Sequence, residues 1–351
     1  MQQGTERGRS GDGSTPRKAE HLRINLEQDV RGKGVSAGFE HYRFEHCALP
    51  EIALADVDLS VTHFGRTLRA PLLISCMTGG TPEAAGVNRT LARVAQEFGL
   101  AMGLGSGRVL LEDPSTIESF DVRSVAPDVL LFANLGAVQL NKGYGVPQCR
   151  HLIKLVNADG LVLHLNPLQE ALQAGGDTDF RGLMERIAGL CDGLDVPVLV
   201  KEVGWGLSAD VVRALFECGV AGVDVAGAGG TSWSEVERHR THESWRIRVA
   251  AQFAAWGIPT AQCVRDARAA APEGLIVASG GIREGLDATK AIALGADLIG
   301  IAGPFLRAAA QGFDEVHDLA REIVEVMRVA MFALGLRSIE ELKLTDLLVE
   351  Q

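Results

Sequence analysis

Eight short apolar runs, each followed by a segment with helical features, dominate the chain from Pro71 onward. The runs lie at residues 71–75, 100–106, 129–136, 159–166, 196–204, 220–227, 274–281 and 296–303. They are nearly continuous in Val, Ile, Leu and Ala, which is typical of parallel strands that are buried on both faces. Between and after them the sequence predicts helices at 88–98, 114–120, 147–156, 179–190, 208–217 (with Ser208 as N-cap), 243–256, 284–294 and 314–334.

This alternation predicts an α/β protein that folds as a (β/α)8 TIM barrel with an N-terminal extension. A doubly wound sheet is the alternative, but no GxGxxG motif follows the first strand and eight units at this spacing suit a closed barrel. We expect four parts: a disordered N-terminal tail at 1–16, an N-terminal arm that closes over a substrate at 17–70, the barrel at 71–340 and a C-terminal tail at 341–351.

The composition narrows the possible functions. Hydrophobic residues make up 46% of the chain, which predicts a large core, and the formal net charge of -11 argues against general binding to nucleic acids or anionic membranes. The six cysteines are scattered without a CxxC pair, which suggests neither a zinc site nor a disulfide framework and fits a cytoplasmic location. No apolar run approaches the ~20 residues of a membrane span, and residues 1–16 lack the apolar region of a signal peptide.

The segment 164–170, HLNPLQE, directly follows the buried run of the fourth predicted strand. Side chains at the carboxyl ends of barrel strands form the active sites of TIM barrel enzymes. The segment offers an imidazole that can hold a proton near neutral pH, amides that can orient a substrate, and the Glu170 carboxylate, which can bind a hard cation such as Mg²⁺. The alternative is a polar loop with a helix start near Asn166, but four such side chains after one strand favour a site.

Three further features suggest anion binding. The turns GGIR (280–283) and AG (302–303) after the seventh and eighth strands would let backbone N–H groups approach a phosphate, although glycines of this kind also simply form tight turns. Lys201 ends the fifth strand, where a buried ammonium needs an anionic or electron-rich partner. The basic segment 17–24 is either a solvated helix start or an arm that closes over an anion.

Taken together, these stretches resemble the type 2 isopentenyl-diphosphate isomerases, a family of FMN-dependent barrel enzymes. The resemblance covers roughly residues 17–335 and rests on RKAEH (17–21), APLLISCMTGG (70–80), ANLGAVQ (133–139), HLNPLQE, KEVGWG (201–206), DVAGAGGTSW (224–233), ASGGIR (278–283) and IAGPFL (301–306). RKAEH combined with HLNPLQE is specific, whereas many FMN barrels share the glycine-rich turns. One position departs from the family pattern, because Gly107 stands where Gln is common.

The resemblance implies a role for each matching residue. Contacts with the flavin are implied for Cys76, Met77, Thr78, Ser106, Asn134, Lys201 and Thr231, and contacts with its phosphate for Gly281, Ile282, Arg283, Ala302 and Gly303. Contacts with the substrate are implied for Arg17, Lys18, Ser106, Gly107, Arg108, Asn166 and Gln169. Gln169 and His164 are the implied catalytic residues, and Glu170 is the implied Mg²⁺ ligand. Because an amide has no suitable pKa, Gln169 is assigned to orientation or proton relay.

The implied activity is a 1,3-allylic proton shift that interconverts isopentenyl and dimethylallyl diphosphate in isoprenoid biosynthesis. It would use reduced FMN, Mg²⁺ and NADPH as the electron source. The resemblance also implies a homo-oligomer, a tetramer or octamer, to which the predicted loop 232–241 and the C-terminal helix could contribute.

Three other functions are alternatives to this activity. An FMN-dependent 2-hydroxy-acid oxidase needs a His base, but His239 and His242 look like surface residues in a long loop. An IMP-dehydrogenase-like enzyme needs a cysteine in a loop, but Cys263 lies inside an apparent helix. The non-enzymatic alternative is a phospholigand-binding barrel without catalysis.

Overall fold

The structure, a computed structural model, describes residues 14–351. Short elements precede the barrel: helix α1 (Ser14–Glu27), strand β1 (Tyr42–Phe44), and a hairpin of β2 (Val61–His63) and β3 (Arg66–Leu68), with single 3-10 turns at Phe39–His41 and Leu54–Asp56. Helix α1 therefore begins three residues before the predicted start of the arm. The rest of the predicted disordered tail, residues 1–13, lies outside the described residues.

Eight parallel strands close into a barrel, which confirms the predicted fold. In chain order they are β4 (Leu72–Ile74), β5 (Ala101–Gly103), β6 (Leu130–Gly136), β7 (Gly160–His164), β8 (Val198–Lys201), β9 (Gly222–Asp224), β10 (Leu275–Ser279) and β11 (Leu298–Ile301). Each pairs with the next, and β11 pairs with β4 to close the ring. The strands are shorter than the apolar runs, because the ends of several runs turn out of the barrel to form its loops.

Helices surround the barrel. They are α2 (Pro82–Phe98), α3 (Arg108–Glu112), α4 (Val146–Val156), α5 (Pro167–Leu172), α6 (Leu183–Gly193), α7 (Ala209–Glu217), α8 (Trp233–Arg240), α9 (Ser244–Ala251), α10 (Thr260–Ala270), α11 (Gly285–Ala293), α12 (Gly303–Gln311), α13 (Phe313–Leu334) and α14 (Ile339–Lys343), with 3-10 turns at Pro114–Ser119 and Ala137–Lys142. The Ser208 side chain caps α7 as predicted, accepting a hydrogen bond from Val211 N. Among residues 14–351, none of the helices has the length and apolar character that a membrane crossing requires.

The segment after β9 differs from the prediction of a long loop, because residues 233–240 form helix α8. Its buried face is mostly polar: Ser234, Glu235 and Glu237 are buried together with Val236. A helix with so few apolar positions shows no amphipathic period in the sequence. The prediction of a loop was therefore wrong here, and this helix packs against α1 beside the cavity.

The C-terminal residues pack against the N-terminal extension. Helix α14 is followed by strand β12 (Leu348–Glu350), which pairs antiparallel with β1 so that Tyr42 lies opposite Glu350. Residues 341–351, predicted as a C-terminal tail, thus form the end of a helix and a paired strand. At the amino ends of the barrel strands the β2–β3 hairpin contributes Leu68 to an apolar cluster with Leu130 and Phe132.

Two arginine clamps join loops to strands at the amino ends of the barrel, four strands apart. Arg123 donates to three carbonyl oxygens of the loop before β6 and to Asp159 Oδ2 at 2.6 Å, just before β7. Arg268 repeats this before β10, with three loop carbonyls and Asp297 Oδ2 at 2.7 Å, just before β11. The sequences RSVAPDVLL (123–131) and RAAAPEGLI (268–276) share the arginine, the Ala-Pro pair and the following apolar residues. Each aspartate also binds a second cation, Arg66 or Lys343.

Candidate active site

The carboxyl ends of the barrel strands enclose a cavity of about 730 Å³, with helix α1 contributing to its wall. All the predicted site residues except Gly107 line this cavity. The order of strands divides them into two arcs. The predicted substrate residues follow β5 and β7, except for Arg17 and Lys18 on α1, and the predicted phosphate turns follow β10 and β11. Between the arcs lie β4 on one side and β8 and β9 on the other. The cavity therefore offers two separate polar ends.

Gly107 lies behind the cavity wall. A Cβ atom at this position would come within 2.4 Å of Leu152 Cδ1 on helix α4, which is much closer than van der Waals contact allows. Its backbone N–H donates to Asn134 O at 2.8 Å. The structure therefore gives Gly107 a packing role between β5 and α4, and brings its neighbours Ser106 and Arg108 to the cavity instead.

The end of the cavity beside β5 and β7, called the substrate end after its predicted role, contains a cluster of cations. Lys18 Nζ on α1 donates to Ser106 O at 2.9 Å, which fastens the helix to the loop after β5. Burial, followed by the charges of Arg108 and Arg17, lowers the pKa of Lys18 to about 7. Burial and the charge of Arg108 also lower the pKa of Arg17. Cations held together in this way are matched to a polyanion, which would relieve their mutual repulsion.

His164 is a neutral hydrogen-bonding group. Its Nδ1 lies 2.8 Å from Asn134 Oδ1, and because an amide oxygen accepts, this contact assigns the proton to Nδ1 and leaves Nε2 as an acceptor. Burial, followed by the charges of Lys201 and Lys18, lowers its pKa to about 3. The sequence predicted an imidazole that can hold a proton near neutral pH; with this lowered pKa, His164 does not gain a second proton there.

The rest of HLNPLQE forms one hydrogen-bonded unit at the start of α5. Asn166 Nδ2 donates to Gln169 Oε1 at 3.1 Å and to Glu170 Oε1 at 2.9 Å, so the amide of Asn166 orients both side chains. Glu170 Oε2 accepts from the backbone N–H of Asp177 at 2.7 Å. Asn166 Oδ1 is buried and has no hydrogen-bond partner among residues 14–351. An unsatisfied oxygen beside a carboxylate is suited to a hard cation.

Mg²⁺ fits the chemistry of this donor set. Among residues 14–351 no group of three or more His, Cys, Asp or Glu side chains could hold a metal. Mg²⁺ is commonly bound through one or two carboxylates and completed by substrate phosphates and water. Glu170, with Asn166 Oδ1 beside it, is compatible with a metal shared with a diphosphate.

The end of the cavity beside β10 and β11, called the phosphate end after its predicted role, contains backbone N–H donors and three guanidinium groups. The N–H groups of Gly281 and Ile282 donate to no backbone carbonyl among residues 14–351. Burial, followed by the charges of Arg31 and Arg307, lowers the pKa of Arg283. Arg31 and Arg307 line the cavity but were missed in the sequence. The position of Arg307 could have been found, because it lies one helical turn after Gly303 on α12.

Charged and polar side chains also lie between the two ends. Lys201 pairs in register with His164 on one side and with Asp224 on the other. Its Nζ donates to Glu202 O at 2.6 Å. Burial raises the pKa of the Cys76 thiol, although the charge of Lys201 partly opposes the effect. A flavin ring fits here, because Lys201 offers a cation to its electron-rich edge and the N–H groups and arginines at the phosphate end suit its phosphate.

Helix α8 holds α1 over the cavity. His21 Nε2 on α1 lies 3.0 Å from Glu237 Oε1, and the His21 ring meets Trp233 edge to face at 5.2 Å. Arg240 Nε donates to the other oxygen of Glu237 at 2.7 Å. Burial opposes ionisation of Glu237, but the hydrogen bond and charge of His21 and the contact with Arg240 outweigh it and lower its pKa. These contacts fix the helix that carries Arg17 and Lys18.

The rival functions receive no support from the site. His239 and His242 are exposed on and after α8 and do not line the cavity, as the sequence predicted. Cys263 is buried within α10, where burial raises its thiol pKa to about 12, so it is not a nucleophile. All six cysteines are free thiols.

Comparison with known proteins first gives the class of protein that the chain resembles. Residues 164–349 match the family of FMN-dependent dehydrogenases. Among solved structures, a mandelate oxidase variant with an FMN adduct has a TM-score of 0.66 at 18% identity and covers 95% of this chain and 98% of its own. A flavocytochrome b2 variant has a TM-score of 0.69 at 18% identity over 94% of this chain and 82% of its own. Likeness at such identity shows a shared fold, and the fold and site define an FMN-type barrel.

Closer relatives then specify the family. An isopentenyl-diphosphate delta-isomerase of a Nostoc species is 50% identical over 327 residues, which covers 93% of each chain. One from a Synechococcus species is 54% identical over 316 residues, covering 90% of this chain and 91% of its own. One from a Synechocystis species is 51% identical over 94% of this chain and 95% of its own. The chain belongs to the isopentenyl-diphosphate delta-isomerase family.

Proposed function

We propose that the protein interconverts isopentenyl diphosphate and dimethylallyl diphosphate by a 1,3-allylic proton shift, with FMN and Mg²⁺ bound. The observation that carries this proposal is the arrangement of the cavity's two polar ends. The cations Arg17, Lys18 and Arg108 lie beside HLNPLQE at one end, and the glycine turns with Arg283 form the other. A diphosphate and a flavin phosphate can therefore bind in one cavity without competing.

The substrate end would bind the diphosphate by charge. Arg108 presents a planar guanidinium and Lys18 a point charge, and both suit phosphate oxygens. Glu170 would hold Mg²⁺ against the same group, with Asn166 Oδ1 as a neighbouring oxygen. With its diphosphate fixed, the hydrocarbon part of the substrate extends toward the middle of the cavity, where Gln169 and His164 line the wall.

The reaction adds a proton at the terminal alkene carbon and removes one two carbons away, so no net oxidation occurs. Its difficulty is the positive charge that develops on the alkene. Reduced FMN, when bound, supplies an electron-rich ring that can stabilise this charge and exchange the proton. The neutral His164 adds no positive charge beside the developing cation, and α1 shields the site from water.

Gln169 is proposed to orient the alkene or relay the proton. Its Oε1 accepts from Asn166, which fixes the amide plane and turns the amide nitrogen away from that contact. Gln169→Ala should lower kcat by at least about tenfold, in the range typical of a lost positioning contact. Gln262→Ala, an exposed glutamine on α10, is the matched control. Full turnover by Gln169→Ala would remove this role.

We further propose NADPH as the electron source, a cytoplasmic location and a homo-oligomeric assembly, a tetramer or octamer. The need for reduced flavin in a reaction without net oxidation supports an external reductant. Free thiols at all six cysteines are compatible with a reducing compartment. Exposed apolar side chains on and after α9, namely Trp245, Val249 and Trp256, support burial between subunits. Light scattering on the purified protein would give the subunit number.

An absorbance spectrum and an activity assay test the proposed function together. The purified protein should show a flavin spectrum and convert isopentenyl diphosphate only when Mg²⁺ and a reductant such as NADPH are present. A flavin spectrum that bleaches with 2-hydroxy acids, without isomerisation, would instead support an oxidase. Failure to bind FMN would remove the cofactor assignment.

A further inference from the structure

The loop after α5 contains a carboxylate, Asp177, that contacts groups on both sides of the substrate end. Asp177 does not line the cavity and is not among the predicted site residues. Lys142 Nζ lies 2.8 Å from Asp177 Oδ1, and Gln139 Nε2 donates to Oδ2 at 3.2 Å. These two partners fix the carboxylate from the side of the 3-10 turn that follows β6.

The same carboxylate faces Arg108. Arg108 Nη1 lies 3.8 Å from Asp177 Oδ2, and Arg108 Nε lies 3.6 Å from Glu112 Oε1. Both separations are ion-pair distances that exceed a hydrogen bond. The carboxylates therefore attract the guanidinium and define its position while leaving its N–H donors available to a ligand in the cavity.

The backbone of Asp177 contacts the other half of the site. Its N–H donates to Glu170 Oε2 at 2.7 Å. The chain reaches this position through Gly175, with φ of +69°, and Gly176, where a Cβ would lie 2.0 Å from Glu170 O. One residue thus holds the side chain proposed to bind Mg²⁺ and faces the guanidinium proposed to bind the diphosphate.

We propose that Asp177 is a positioning residue for anion binding, which fixes Arg108 through its carboxylate and Glu170 through its backbone N–H. This inference rests on the proposed function for the identity of the substrate, although it requires only that the cavity bind a diphosphate. The Lys142 ammonium and the Gln139 amide hold Asp177 in place.

The test is binding of inorganic pyrophosphate to the FMN-loaded protein, measured by calorimetry with and without Mg²⁺. Asp177→Asn removes the charge and keeps the shape. We expect its Kd for pyrophosphate to rise about fivefold to tenfold, with FMN content and flavin spectrum unchanged. Asp179→Asn is the matched control, because Asp179 lies two residues away, is exposed and pairs only with Arg181 among the described residues. Its Kd should stay within about twofold of the parent.

A double-mutant cycle separates positioning from a general effect on structure. If Asp177 acts through Arg108, Asp177→Asn should change the Kd little in an Arg108→Ala background. An equal loss in both backgrounds, or equal Kd values for Asp177→Asn and Asp179→Asn, would overturn the proposal. In turnover assays of Asp177→Asn the positioning role predicts a raised KM with kcat nearly unchanged.

A second variant keeps the proposal testable if Asp177→Asn does not fold. Lys142→Met removes the 2.8 Å ion pair that holds the Asp177 carboxylate and should weaken pyrophosphate binding several-fold. Lys154→Met, at an exposed lysine on α4, is the charge-matched control. Unchanged binding by Lys142→Met would overturn the proposal. Pyrophosphate binding without isomerisation would leave the positioning role standing while the proposed function failed.

Discussion

Lys18 is the residue whose charge should respond most directly to a ligand. Burial and the neighbouring Arg108 and Arg17 lower its pKa to about 7. Because the folded-state pKa lies below the value of an unfolded lysine, the folded chain binds fewer protons than the unfolded chain between pH 7 and 10.5. The contribution of Lys18 to the free energy of unfolding therefore rises with pH over that window. Binding of an anion that restores the positive charge of Lys18 must be accompanied by the uptake of a proton by Lys18 over the same pH range.

The affinity for a diphosphate should therefore fall as pH rises above 7. With one proton taken up, the Kd for pyrophosphate should rise by up to about tenfold per pH unit between pH 7 and 9. Lys18→Arg, which stays charged, should flatten this dependence. Calorimetry across the pH range measures it, and a parent protein with pH-independent binding above pH 7 would contradict this account of Lys18.

Gly107 gives a second prediction for a single position. Because its Cβ would lie 2.4 Å from Leu152 Cδ1, Gly107→Ala should lower the free energy of unfolding by about 1–3 kcal/mol. Combining it with Leu152→Ala should cost less than the sum of the two single changes, since the smaller side chain leaves room for the methyl group. Urea unfolding of the single and double variants checks this. Additive losses in the free energy of unfolding would show that the clash is relieved by the movement of residues other than Leu152.

Residue types and their place after strands were readable from the sequence, but pairings were not. HLNPLQE could be assigned to a strand end because the preceding run is apolar. The neutral state of His164 could not be predicted, because it depends on burial and on the charge of Lys201 from another strand. Asp177 and Arg31 come from loops, and only the folded backbone brings them beside the motif.

At the scale of elements, helix α8 shows where pattern reading fails. Three of its buried residues, Ser234, Glu235 and Glu237, are polar. Val236 is its one buried apolar residue, and it packs with Ile24 and Val30. Glu235 and Glu237 pair with Arg238 and Arg240 three residues on. Periodicity detects burial only through apolar residues, so a helix stabilised by ion pairs looks like a loop.

The glycine turn after β10 gives a prediction with a matched control. Gly281 has φ of +76°, and a Cβ there would lie 2.7 Å from Gly229 C and 2.9 Å from Ala37 Cβ. Gly281→Ala should strain the turn by about 1–3 kcal/mol and raise the Kd for FMN by about tenfold or more. Gly65→Ala, at φ of +75° and with no atom of the described chain within 4 Å of the added Cβ, carries similar backbone strain outside the cavity.

The readout for these two variants is FMN titration of the apoprotein followed by fluorescence. Gly65→Ala should be destabilised by backbone strain alone and should bind FMN normally. If both variants lost FMN equally, the turn after β10 would have no particular part in binding the phosphate.

At the scale of the whole molecule, the barrel was predictable because eight apolar runs repeat with intervening helices. Continuous apolar runs such as GLIVASGG indicate strands that are buried on both faces. Eight such strands are the number that closes a TIM barrel. The pairing of β12 with β1 was not predictable, because it joins segments far apart in sequence, with Tyr42 opposite Glu350.

The two arginine clamps should stabilise the barrel independently. Arg123→Ala and Arg268→Ala should each lower the free energy of unfolding by about 2–4 kcal/mol, because each removes a donor to four carbonyl oxygens and one of the two cations that its aspartate binds. The clamps lie four strands apart, so the double variant should be additive within about 0.5 kcal/mol. Arg213→Ala, which removes an exposed pair with Asp210, should cost less than about 1 kcal/mol.

Urea unfolding measures these differences. A loss for Arg123→Ala or Arg268→Ala no larger than that for Arg213→Ala would show that the clamps do not stabilise the fold. Strong non-additivity would show that the two halves of the barrel are energetically coupled.

The measurement that tests the central claim most directly is isomerisation by the FMN-loaded protein in D₂O without oxygen. With chemically reduced FMN and Mg²⁺, isopentenyl diphosphate should yield dimethylallyl diphosphate that contains deuterium, while the flavin spectrum stays that of the reduced form. This result would show a proton shift without net oxidation. Absence of product with FMN bound and reduced, or reoxidation of the flavin in step with substrate consumption, would contradict it.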